Sequence, residues 1–310
     1  MRLEPLDDGL RVLAPAKLNL YLEVGAKRPD GYHDVDSIFQ AITLHDEIEF
    51  RRADGGRLEL EEVGIAEAEK NLVYRAAWKL RERFFRSGPL PGARIRLRKR
   101  IPEGAGLGGG SSDAAASLIA LSIVWGIPAR PEDLLPLAAE LGSDVPFFLV
   151  GGTARCCGRG ERVESWADAF DKEDPFHYVL VYPRVKVSTK LVYEALDAVR
   201  GPGSTLTPSS PLDSMPFVDI RAQLRCGKLF FNRFESVVYE IFPELRKLHD
   251  FLMREPFLGV LMSGSGSTIY GVCQSAEDAQ RIAAGLRGRL GADVYTASSE
   301  RSHSGLKKAD

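Results

Sequence analysis

A glycine-rich run in the first half of the chain is the strongest candidate for a phosphate-binding loop. The run from Pro102 to Ser112 holds five glycines within seven positions, between a strand-like and a helix-like stretch. Glycine leaves backbone N–H groups unshielded and able to adopt positive φ, so consecutive amides can converge on an anion. Ser111 or Ser112 is predicted to cap the following helix, with Asp113 in its first turn, and that helix N-terminus adds further N–H donors. The sequence therefore predicts an enzyme that uses a nucleotide.

Two familiar phosphate loops fit this run poorly. Gly104, Gly106 and Gly109 match the fingerprint G-x-G-x-x-G, but a second helical pattern follows where a dinucleotide-binding unit needs a strand with an acidic end. A P-loop closes on Gly-Lys-Ser or Gly-Lys-Thr, and the run contains neither. A flexible connector stays open as the alternative to a third kind of phosphate loop.

A strand pattern near the N-terminus carries a lysine and an asparagine on one face. The stretch from Lys17 to Val24 alternates polar and apolar residues strictly, which predicts a half-buried strand. Lys17 and Asn19 then point the same way and can offer a cation and an amide to one ligand. The alternative is an ordinary solvated strand face.

Asp144 is the candidate catalytic carboxylate. It follows a helix that Gly142 ends and precedes an apolar stretch, so we expect it to be partly buried. Phosphoryl transfer needs a base or an orienting carboxylate for the acceptor hydroxyl, and Asp144 could serve. An Asx turn that stabilises the bend is the structural alternative.

A turn with an aromatic ring and an imidazole is a candidate base-recognition site. Asp30 and Gly31 form the predicted turn, and Tyr32 and His33 follow directly. A phenol ring can stack on a nucleobase, and an imidazole can hydrogen-bond its edge. Packing of Tyr32 in the core is the alternative.

Composition narrows the class of protein. The chain has 310 residues, 44% of them hydrophobic and 27% charged, which is typical of a globular protein with room for two domains. A net charge of -2 argues against a nucleic-acid partner. The basic residues from Arg94 to Arg100 alternate with apolar ones, which predicts the solvated face of a strand, although Lys99 and Arg100 adjoin the glycine loop and could attract phosphate.

The expected compartment is the cytoplasm, with no membrane association. No apolar stretch reaches the roughly 18 residues of a membrane span, and the N-terminus lacks the apolar core of a signal peptide. The four cysteines show no C-x-x-C spacing, so we expect buried reduced thiols and no cysteine metal site.

Strand and helix patterns divide the chain into two α+β units, and the first is complete by about residue 150. The first unit contains predicted strands at 17–24, 42–51, 57–63 and from 93, and helices at 71–85, 114–125 and 132–141, with a hairpin turn at 53–56 between the second and third strands. The second contains strands at 178–182, 258–262, 267–273 and 292–296, and helices at 189–199, 231–252 and from Ser275 to Leu290. A long loop beside the ligand cleft is predicted at 201–217, and a frayed polar tail at 299–310.

Five segments in chain order resemble one known family. They are PAKLNL at 15–20, RPDGYH at 28–33, GLGGGSSDAAA at 106–116, LGSDVP at 141–146 and SGSGS at 263–267. Together they resemble the 4-diphosphocytidyl-2-C-methyl-D-erythritol kinase family, a branch of the GHMP kinases, over about residues 14–270. Mevalonate and homoserine kinases share the glycine-serine loop and the C-terminal glycine turn, but lack PAKLNL and DGYH in this form.

The resemblance implies an α+β fold with two domains. These are an N-terminal ribosomal-protein-S5-like domain that binds ATP, placed here at 1–165, and a C-terminal ferredoxin-like domain at 166–310, with the active site between them. It also implies ATP-dependent phosphorylation of the 2-hydroxyl of 4-diphosphocytidyl-2-C-methyl-D-erythritol, in the non-mevalonate route to isoprenoid precursors. Magnesium is required by the chemistry of ATP, but the sequence does not identify its ligands. Whether the protein is a monomer or a weak homodimer stays open.

By the same resemblance each candidate residue acquires a role. Lys17 and Asp144 become catalytic, Asp144 as the base for the hydroxyl and Lys17 as the cation that holds Asp144 and the migrating phosphoryl group. The implied ATP-binding residues are Pro102, Gly104, Gly106, Leu107, Gly108, Gly109, Gly110, Ser111 and Ser112 at the phosphates, with Asn71 and Lys99 nearer the adenosine. The implied substrate-binding residues are Asn19 at the erythritol arm, His33 at the cytosine edge, Tyr32 and Tyr193 on the two faces of the ring, and Thr189 near the methylerythritol.

Two alternatives compete with this interpretation. The acceptor could be mevalonate or another small alcohol, which would keep the kinase chemistry and remove the cytidine site. A nucleotide-binding regulatory or scaffold protein could also use the same fold, because a fold does not guarantee a function.

Overall fold

The computed structural model describes residues 1–62, 70–200 and 210–302. Its strands are β1 (Arg2–Leu6), β2 (Gly9–Lys27), β3 (His33–Ala53), β4 (Leu58–Glu62), β5 (Gly92–Arg98), β6 (Thr153–Gly158), β7 (Arg162–Ser165), β8 (His177–Tyr182), β9 (Phe231–Asn232), β10 (Gly259–Met262), β11 (Ile269–Cys273) and β12 (Asp293–Ser298). Its helices are α1 (Leu72–Phe84), α2 (Gly109–Val124), α3 (Pro131–Leu141), α4 (Val145–Val150), α5 (Ala167–Phe170), α6 (Thr189–Arg200), α7 (Phe217–Arg225), α8 (Glu235–Ile241), α9 (Pro243–Leu252) and α10 (Ala276–Arg287).

Two sheets organise these elements. The larger sheet has the order β1-β2-β3-β5-β4. In addition, β6 pairs with the N-terminal part of β3, β7 pairs with β6, and β9 pairs with β2. The smaller sheet has the order β10-β11-β8-β12, with every pair antiparallel. Most of the larger sheet comes from the first half of the chain, but β9 comes from the second half and pairs in parallel with β2. The predicted α+β class is confirmed, and the boundary at residue 165 stays a prediction.

Strand β2 is buried on both faces, so the prediction of a half-buried strand is wrong. Leu18 and Leu20 pack in an apolar cluster with Tyr178 and Tyr270 of the smaller sheet. The opposite face is buried as well, since Lys17 and Asn19 are 4% and 2% exposed and Gly108 of the glycine loop packs against the Lys17 side chain. Strict alternation here separates an apolar layer from a polar, functional layer rather than from solvent.

The predicted hairpin between the second and third strands of the first unit does not form. Strand β5 lies between β3 and β4, and pairs antiparallel with β3 and parallel with β4. The apolar Ile95 and Leu97 of β5 are buried, so this strand belongs in the interior of the sheet. The exposed arginines on its other face are Arg94, Arg96 and Arg98, which confirms the predicted solvated face.

The predicted helix at 231–252 is divided into three elements. It begins as the short strand β9, continues as α8 and restarts at Pro243 as α9. Proline has no backbone N–H and disfavours helical geometry in the residue before it, and Phe242 accordingly has φ -122° and ψ 78°. The remaining predicted elements of the second unit form within a few residues of their predicted bounds, whereas β1, β6, β7, α4, α5 and α7 were not predicted.

The tail is ordered further than predicted. Ser299 donates its backbone N–H to Phe176 O at 2.8 Å, and Glu300 donates to Ala41 O at 2.8 Å. Ser302 is held by the carboxylate of Asp171, at 2.7 Å from its backbone nitrogen. The prediction of fraying is therefore wrong for 299–302, and 303–310 lie outside the described residues.

Of the predicted loop at 201–217, residues 201–209 also lie outside the described ranges. Pro211–Asp213 form a single 3-10 turn, and Phe217 already begins α7. Within the ranges described, no helix is both long and apolar enough to span a membrane. The four cysteines are free thiols, as predicted, but Cys226 is exposed.

Candidate active site

The candidate residues gather around one cleft of about 690 Å³. Residues from both halves of the chain line it. The predicted site residues among its lining are Lys17, Asn19, Asn71, Lys99, Pro102, Gly104, Gly106, Leu107, Gly108, Gly109, Gly110, Ser111, Asp144, Thr189 and Tyr193. Ser112, Tyr32 and His33 are not part of the lining. The cleft thus brings together groups that are more than 170 residues apart in sequence.

The glycine loop leads directly into α2, but the predicted serine cap is wrong. Gly108 occupies the N-cap position with φ 69° and ψ 18°, and no side chain caps the helix. The helix begins at Gly109, so Ser111 and Ser112 lie inside it and Asp113 falls beyond its first turn. An uncapped N-terminus leaves backbone N–H groups available at the cleft, as an anion site requires.

A second glycine turn, the segment 263–267, packs on the glycine loop. Ser263 Oγ donates to Gly106 O at 2.9 Å, and the backbone N–H of Thr268 donates to Ala105 O at 3.2 Å. This turn joins the second half of the chain to the glycine loop of the first half. The geometry of the loop therefore depends on both halves.

Asn232 supports that turn and was missed in the sequence. Its Nδ2 donates to Met262 O and Gly264 O, both at 2.8 Å, and its Oδ1 accepts from the backbone N–H of Phe234 at 3.0 Å. The side chain is 4% exposed, so these bonds replace water. No local signal could have found it, because its partners lie about 30 residues away in sequence.

Lys17 and Asp144 meet beneath the loop. Lys17 Nζ lies 3.6 Å from Asp144 Oδ2 and donates to Asn19 Oδ1 at 2.5 Å, and Asn19 Nδ2 donates to Ser37 Oγ at 3.0 Å. The Lys17 side chain is 5% exposed, whereas that of Asp144 is 33% exposed. A buried cation thus holds a carboxylate that faces the cleft.

The structural alternative for Asp144 is not realised. Asp144 occupies the N-cap position of α4, but its side chain makes no capping hydrogen bond. Carboxylates at this position normally accept from the N–H groups of the first helical turn. The oxygens of Asp144 are therefore available to a ligand.

Lys99 lies at the cleft within a buried group of charges. Its Nζ is 2.6 Å from Asp46 Oδ2 and 2.6 Å from Asp113 Oδ2. Burial lowers the pKa of Lys99, but the charges of Asp113 and Asp46 outweigh that effect and raise it. Asp46 also accepts the backbone N–H groups of Arg100 and Ile101 at the entrance to the glycine loop. The ammonium of Lys99 therefore braces the loop, and Asp46, 53 residues away, was missed in the sequence.

Asn71 performs a structural task at the edge of the cleft. Its side-chain oxygen accepts the backbone N–H of Val73 at 2.8 Å and so caps α1. The side chain is 7% exposed. Asn71 and its neighbour Leu72 both line the cleft.

The predicted base-recognition residues Tyr32 and His33 adjoin residues that line the cleft. Tyr32 is 52% exposed, and the guanidinium of Arg159 lies 4.9 Å from its ring centroid. His33 is buried and stacks on Tyr193, with ring centroids 4.8 Å apart. Burial and the charge of Asp144 raise the pKa of Tyr193 to about 12, so its phenol stays neutral at pH 7. Arg159, which lines the cleft, was missed in the sequence.

Thr189 approaches the second glycine turn from α6. Its hydroxyl lies 2.9 Å from that of Ser265, and both residues line the cleft. Thr189 is the first residue of α6, and Tyr193 follows one turn later on the same helix face. Helix α6 therefore faces the glycine loop across the cleft.

Comparison with known proteins finds matches in both halves of the chain. Residues 71–152 match the family described as GHMP kinases N terminal domain, and residues 221–292 match the family described as GHMP kinases C terminal. The 4-diphosphocytidyl-2-C-methyl-D-erythritol kinase of Pelotomaculum thermopropionicum is 43% identical over 289 residues, which cover 90% of this chain and 94% of that protein. The chain belongs to the 4-diphosphocytidyl-2-C-methyl-D-erythritol kinase family.

Other members of the family are similar to this chain over most of its length. The kinase of the same name from Exiguobacterium sibiricum is 40% identical, with 89% of this chain and 93% of that protein covered. A crystal structure of 4-(cytidine 5'-diphospho)-2C-methyl-D-erythritol kinase superposes with a TM-score of 0.76 at 36% identity, over 94% of this chain and 100% of that one. The chain is accordingly an ATP-dependent small-molecule kinase with the two-domain GHMP kinase fold.

More distant kinases share only the fold. The homoserine kinase of Cytophaga hutchinsonii superposes with a TM-score of 0.65 at 20% identity, over 97% of this chain and 98% of that one. That likeness of fold does not identify the acceptor, so the acceptor has to be inferred from the residues of the site.

A substitution at the contact between the glycine loop and the second glycine turn tests whether this contact positions the glycine loop. In Gly106→Ala the new Cβ would lie 2.1 Å from Ser263 O, and φ of +78° already disfavours a side chain. We expect the KM for ATP to rise about tenfold and the free energy of unfolding to fall by about 2 kcal/mol or more. Steady-state kinetics and urea unfolding measure the two effects.

Gly104→Ala is the matched control for this prediction. Gly104 has a similar φ of +63°, but a Cβ there meets nothing within 4 Å. This variant carries the backbone strain alone. Equal effects of the two substitutions would show that the contact with Ser263 does not position the loop.

Proposed function

We propose that this kinase transfers the terminal phosphoryl group of ATP to the 2-hydroxyl of 4-diphosphocytidyl-2-C-methyl-D-erythritol, giving ADP and the 2-phosphate. The observation that carries the proposal is the Lys17–Asp144 pair, 3.6 Å apart and facing the cleft between the glycine loop and α6. The relatives with this name supply the acceptor. The reaction belongs to the non-mevalonate route to isoprenoid precursors.

Asp144 acts as the base in this mechanism. Its carboxylate accepts the proton of the 2-hydroxyl as the oxygen attacks the terminal phosphorus, and the bond from that phosphorus to the bridging oxygen of ADP breaks. Asp144 suits this task because it makes no capping bond and is partly open to the cleft. It also orients the hydroxyl before the proton moves.

Lys17 supplies the fixed positive charge. It is held by Asn19 and lies next to Asp144, so it keeps the carboxylate in place and stabilises negative charge on the transferring group. The ammonium is almost entirely buried, so solvent screens it little. Asn19, whose amide also bonds Ser37, binds the erythritol arm beside it.

The glycine loop and α2 bind the ATP phosphates. Backbone N–H groups between Pro102 and Ser112 offer donors that need no side chain, and the uncapped N-terminus of α2 favours negative charge. Asn71 and Lys99 lie at the adenosine end of this proposed site. Because Lys99 is already held by two carboxylates, its contribution is to shape the loop.

Magnesium accompanies ATP in this proposal. The described part of the chain contains no group of three or more histidine, cysteine, aspartate or glutamate residues that could hold a metal ion. The oxygens of Ser111 and Asp144 line the cleft, which fits an ion held mainly by nucleotide phosphates and water. When bound, the ion supplies charge neutralisation at the phosphates.

The cytidine end of the substrate binds beside α6. Tyr32 offers an exposed aromatic face to the cytosine ring, His33 reads the edge of the ring from its stack on Tyr193, and Thr189 reaches the methylerythritol. Arg159 adds a cation that lies next to Tyr32 and lines the cleft. Such a cation complements the diphosphate that adjoins the cytidine.

A coupled ADP-release assay tests the acceptor. The purified protein is supplied with ATP and magnesium, and with the cytidyl compound, mevalonate or homoserine. Turnover with the cytidyl compound alone is expected. Turnover only with another alcohol would remove the cytidine site, and no turnover with any of the three would favour a regulatory role.

We also propose a domain division, a compartment and an oligomeric state for this protein. We place the division of the two domains at residues 165 and 166, the protein in the cytoplasm, and its state as a monomer or weak homodimer without a nucleic-acid partner. Size-exclusion chromatography with light scattering measures the oligomeric state.

A further inference from the structure

The imidazole of His33 has one nitrogen fixed and one nitrogen free. Its Nε2 lies 2.7 Å from Asp197 Oδ1, and its ring stacks on Tyr193. Among the residues that the structure describes, Nδ1 has no hydrogen-bond partner, and it is not one of the polar atoms sealed from solvent without a partner. Nδ1 is therefore the ring nitrogen that no described residue already bonds.

Asp197 determines which nitrogen carries the proton. Its other oxygen lies 3.3 Å from Lys27 Nζ. Burial alone would raise the pKa of Asp197, but the hydrogen bonds from His33 and Lys27 outweigh burial and lower it. An ionised carboxylate can only accept, so Nε2 donates in this bond, and of the two neutral tautomers of His33 only the one with its proton on Nε2 makes the bond and keeps a lone pair on Nδ1.

Helix α6 brings Asp197 into line with the substrate side of the cleft. Thr189, Tyr193 and Asp197 are spaced four residues apart, so they share one face of this helix. Thr189 contacts the second glycine turn, Tyr193 stacks on His33, and Asp197 bonds His33. The position of Asp197 is thus fixed by the same element that faces the ligand.

We propose that Asp197 is a positioning residue that makes the kinase select cytosine over uracil. The proposal rests on the proposed function, because it assumes that His33 reads the base edge. Cytosine presents an amino donor at ring position 4, where uracil presents a carbonyl acceptor. A lone pair on Nδ1 of His33 accepts from the amino group and repels the carbonyl. A site built around one hydrogen bond rejects a ligand that cannot make it.

The test compares the cytidyl substrate with its uridyl counterpart, 4-diphosphouridyl-2-C-methyl-D-erythritol. In Asp197→Asn, the ammonium of Lys27 attracts the amide oxygen, and the amide NH₂ then faces Nε2 of His33. Nε2 becomes the acceptor and the proton moves to Nδ1. We expect the ratio of kcat/KM for the cytidyl over the uridyl compound to fall about tenfold or more, with the KM for ATP unchanged.

Glu194→Gln is the matched control. Glu194 lies on the same helix, its side chain is 59% exposed, and its ion pair with Lys190 is at 3.8 Å on the surface. The same change from acid to amide there is expected to leave the ratio unchanged. A purely structural effect on α6 would lower turnover of both compounds alike.

The ¹⁵N shifts of the imidazole nitrogens report the tautomer directly in the intact wild-type protein. Spectra of His33→Gln assign the His33 signals among the five histidines. We expect Nε2–H in the wild type, and this measurement needs no Asp197 variant to fold. Finding the proton on Nδ1 at neutral pH would overturn the proposal.

The outcomes separate this proposal from the proposed function. No turnover of the cytidyl compound by the wild type would overturn both. Cytidyl turnover by the wild type, with no preference over the uridyl compound or with a preference for the latter, would overturn the role of Asp197 alone. An unchanged ratio in Asp197→Asn would do the same.

Discussion

Asp144→Asn is expected to reduce kcat by roughly 10²–10⁴-fold, the usual contribution of general base catalysis. Asparagine keeps the size of the side chain, but its amide cannot take the proton of the acceptor hydroxyl. Asp144 makes no capping bond in α4, so the free energy of unfolding should fall only by about 1–3 kcal/mol, the cost of leaving the buried Lys17 without its carboxylate partner. Rapid-quench kinetics measure the chemical step, and calorimetry measures the affinities for ATP and the cytidyl compound, which we expect to stay within about fivefold.

Asp168→Asn is the control for this change. Asp168 lies on α5 with a fully exposed side chain, so its charge should not affect the reaction. Should Asp144→Asn turn over as fast as the wild type while binding both substrates, the base must be sought elsewhere in the cleft.

Lys17→Met is expected to lower kcat/KM by roughly 10²–10³-fold, comparable with the loss of one preorganised donor to a transition state. Methionine keeps the length of the side chain and removes the charge that faces Asp144 and Asn19. Because burying an ammonium is costly, stability should change far less than activity. Steady-state kinetics and thermal unfolding of the same preparation separate the two effects.

Lys172→Met serves as the control, since Lys172 is 75% exposed and its ion pair within the described residues is with Asp168 at 3.6 Å. A loss of activity in Lys17→Met that merely follows a loss of folded protein would show Lys17 to be structural.

Local patterns predicted the parts of the site that are local in sequence. Glycine spacing predicted the loop that lines the cleft, and the helix end at Gly142 with the apolar stretch after it predicted a partly buried Asp144. The alternation at Lys17 predicted correctly that Lys17 and Asn19 share a face. The alternation could not show that this face is buried, because the residues that pack on it belong to the glycine loop, about 90 residues further along the chain.

Long-range partners could not be predicted. Asp46 bonds Lys99 across 53 residues, and Asp197 bonds His33 across 164. Each is an ordinary acidic residue in its own segment, with no neighbour that signals its role. The order of β3, β5 and β4 failed for a related reason, since the turn after β3 reverses the chain but does not decide which strand pairs there.

We propose that the 2-hydroxyl of the cytidyl compound receives the phosphoryl group. Nuclear magnetic resonance of the product tests it most directly, by combining ³¹P spectra with carbon–phosphorus couplings in a ¹³C-labelled acceptor. We expect one new phosphomonoester signal coupled to the carbon that bears the 2-hydroxyl, with the diphosphate signals retained. A phosphoryl group on another hydroxyl, or free phosphate alone, would contradict the account.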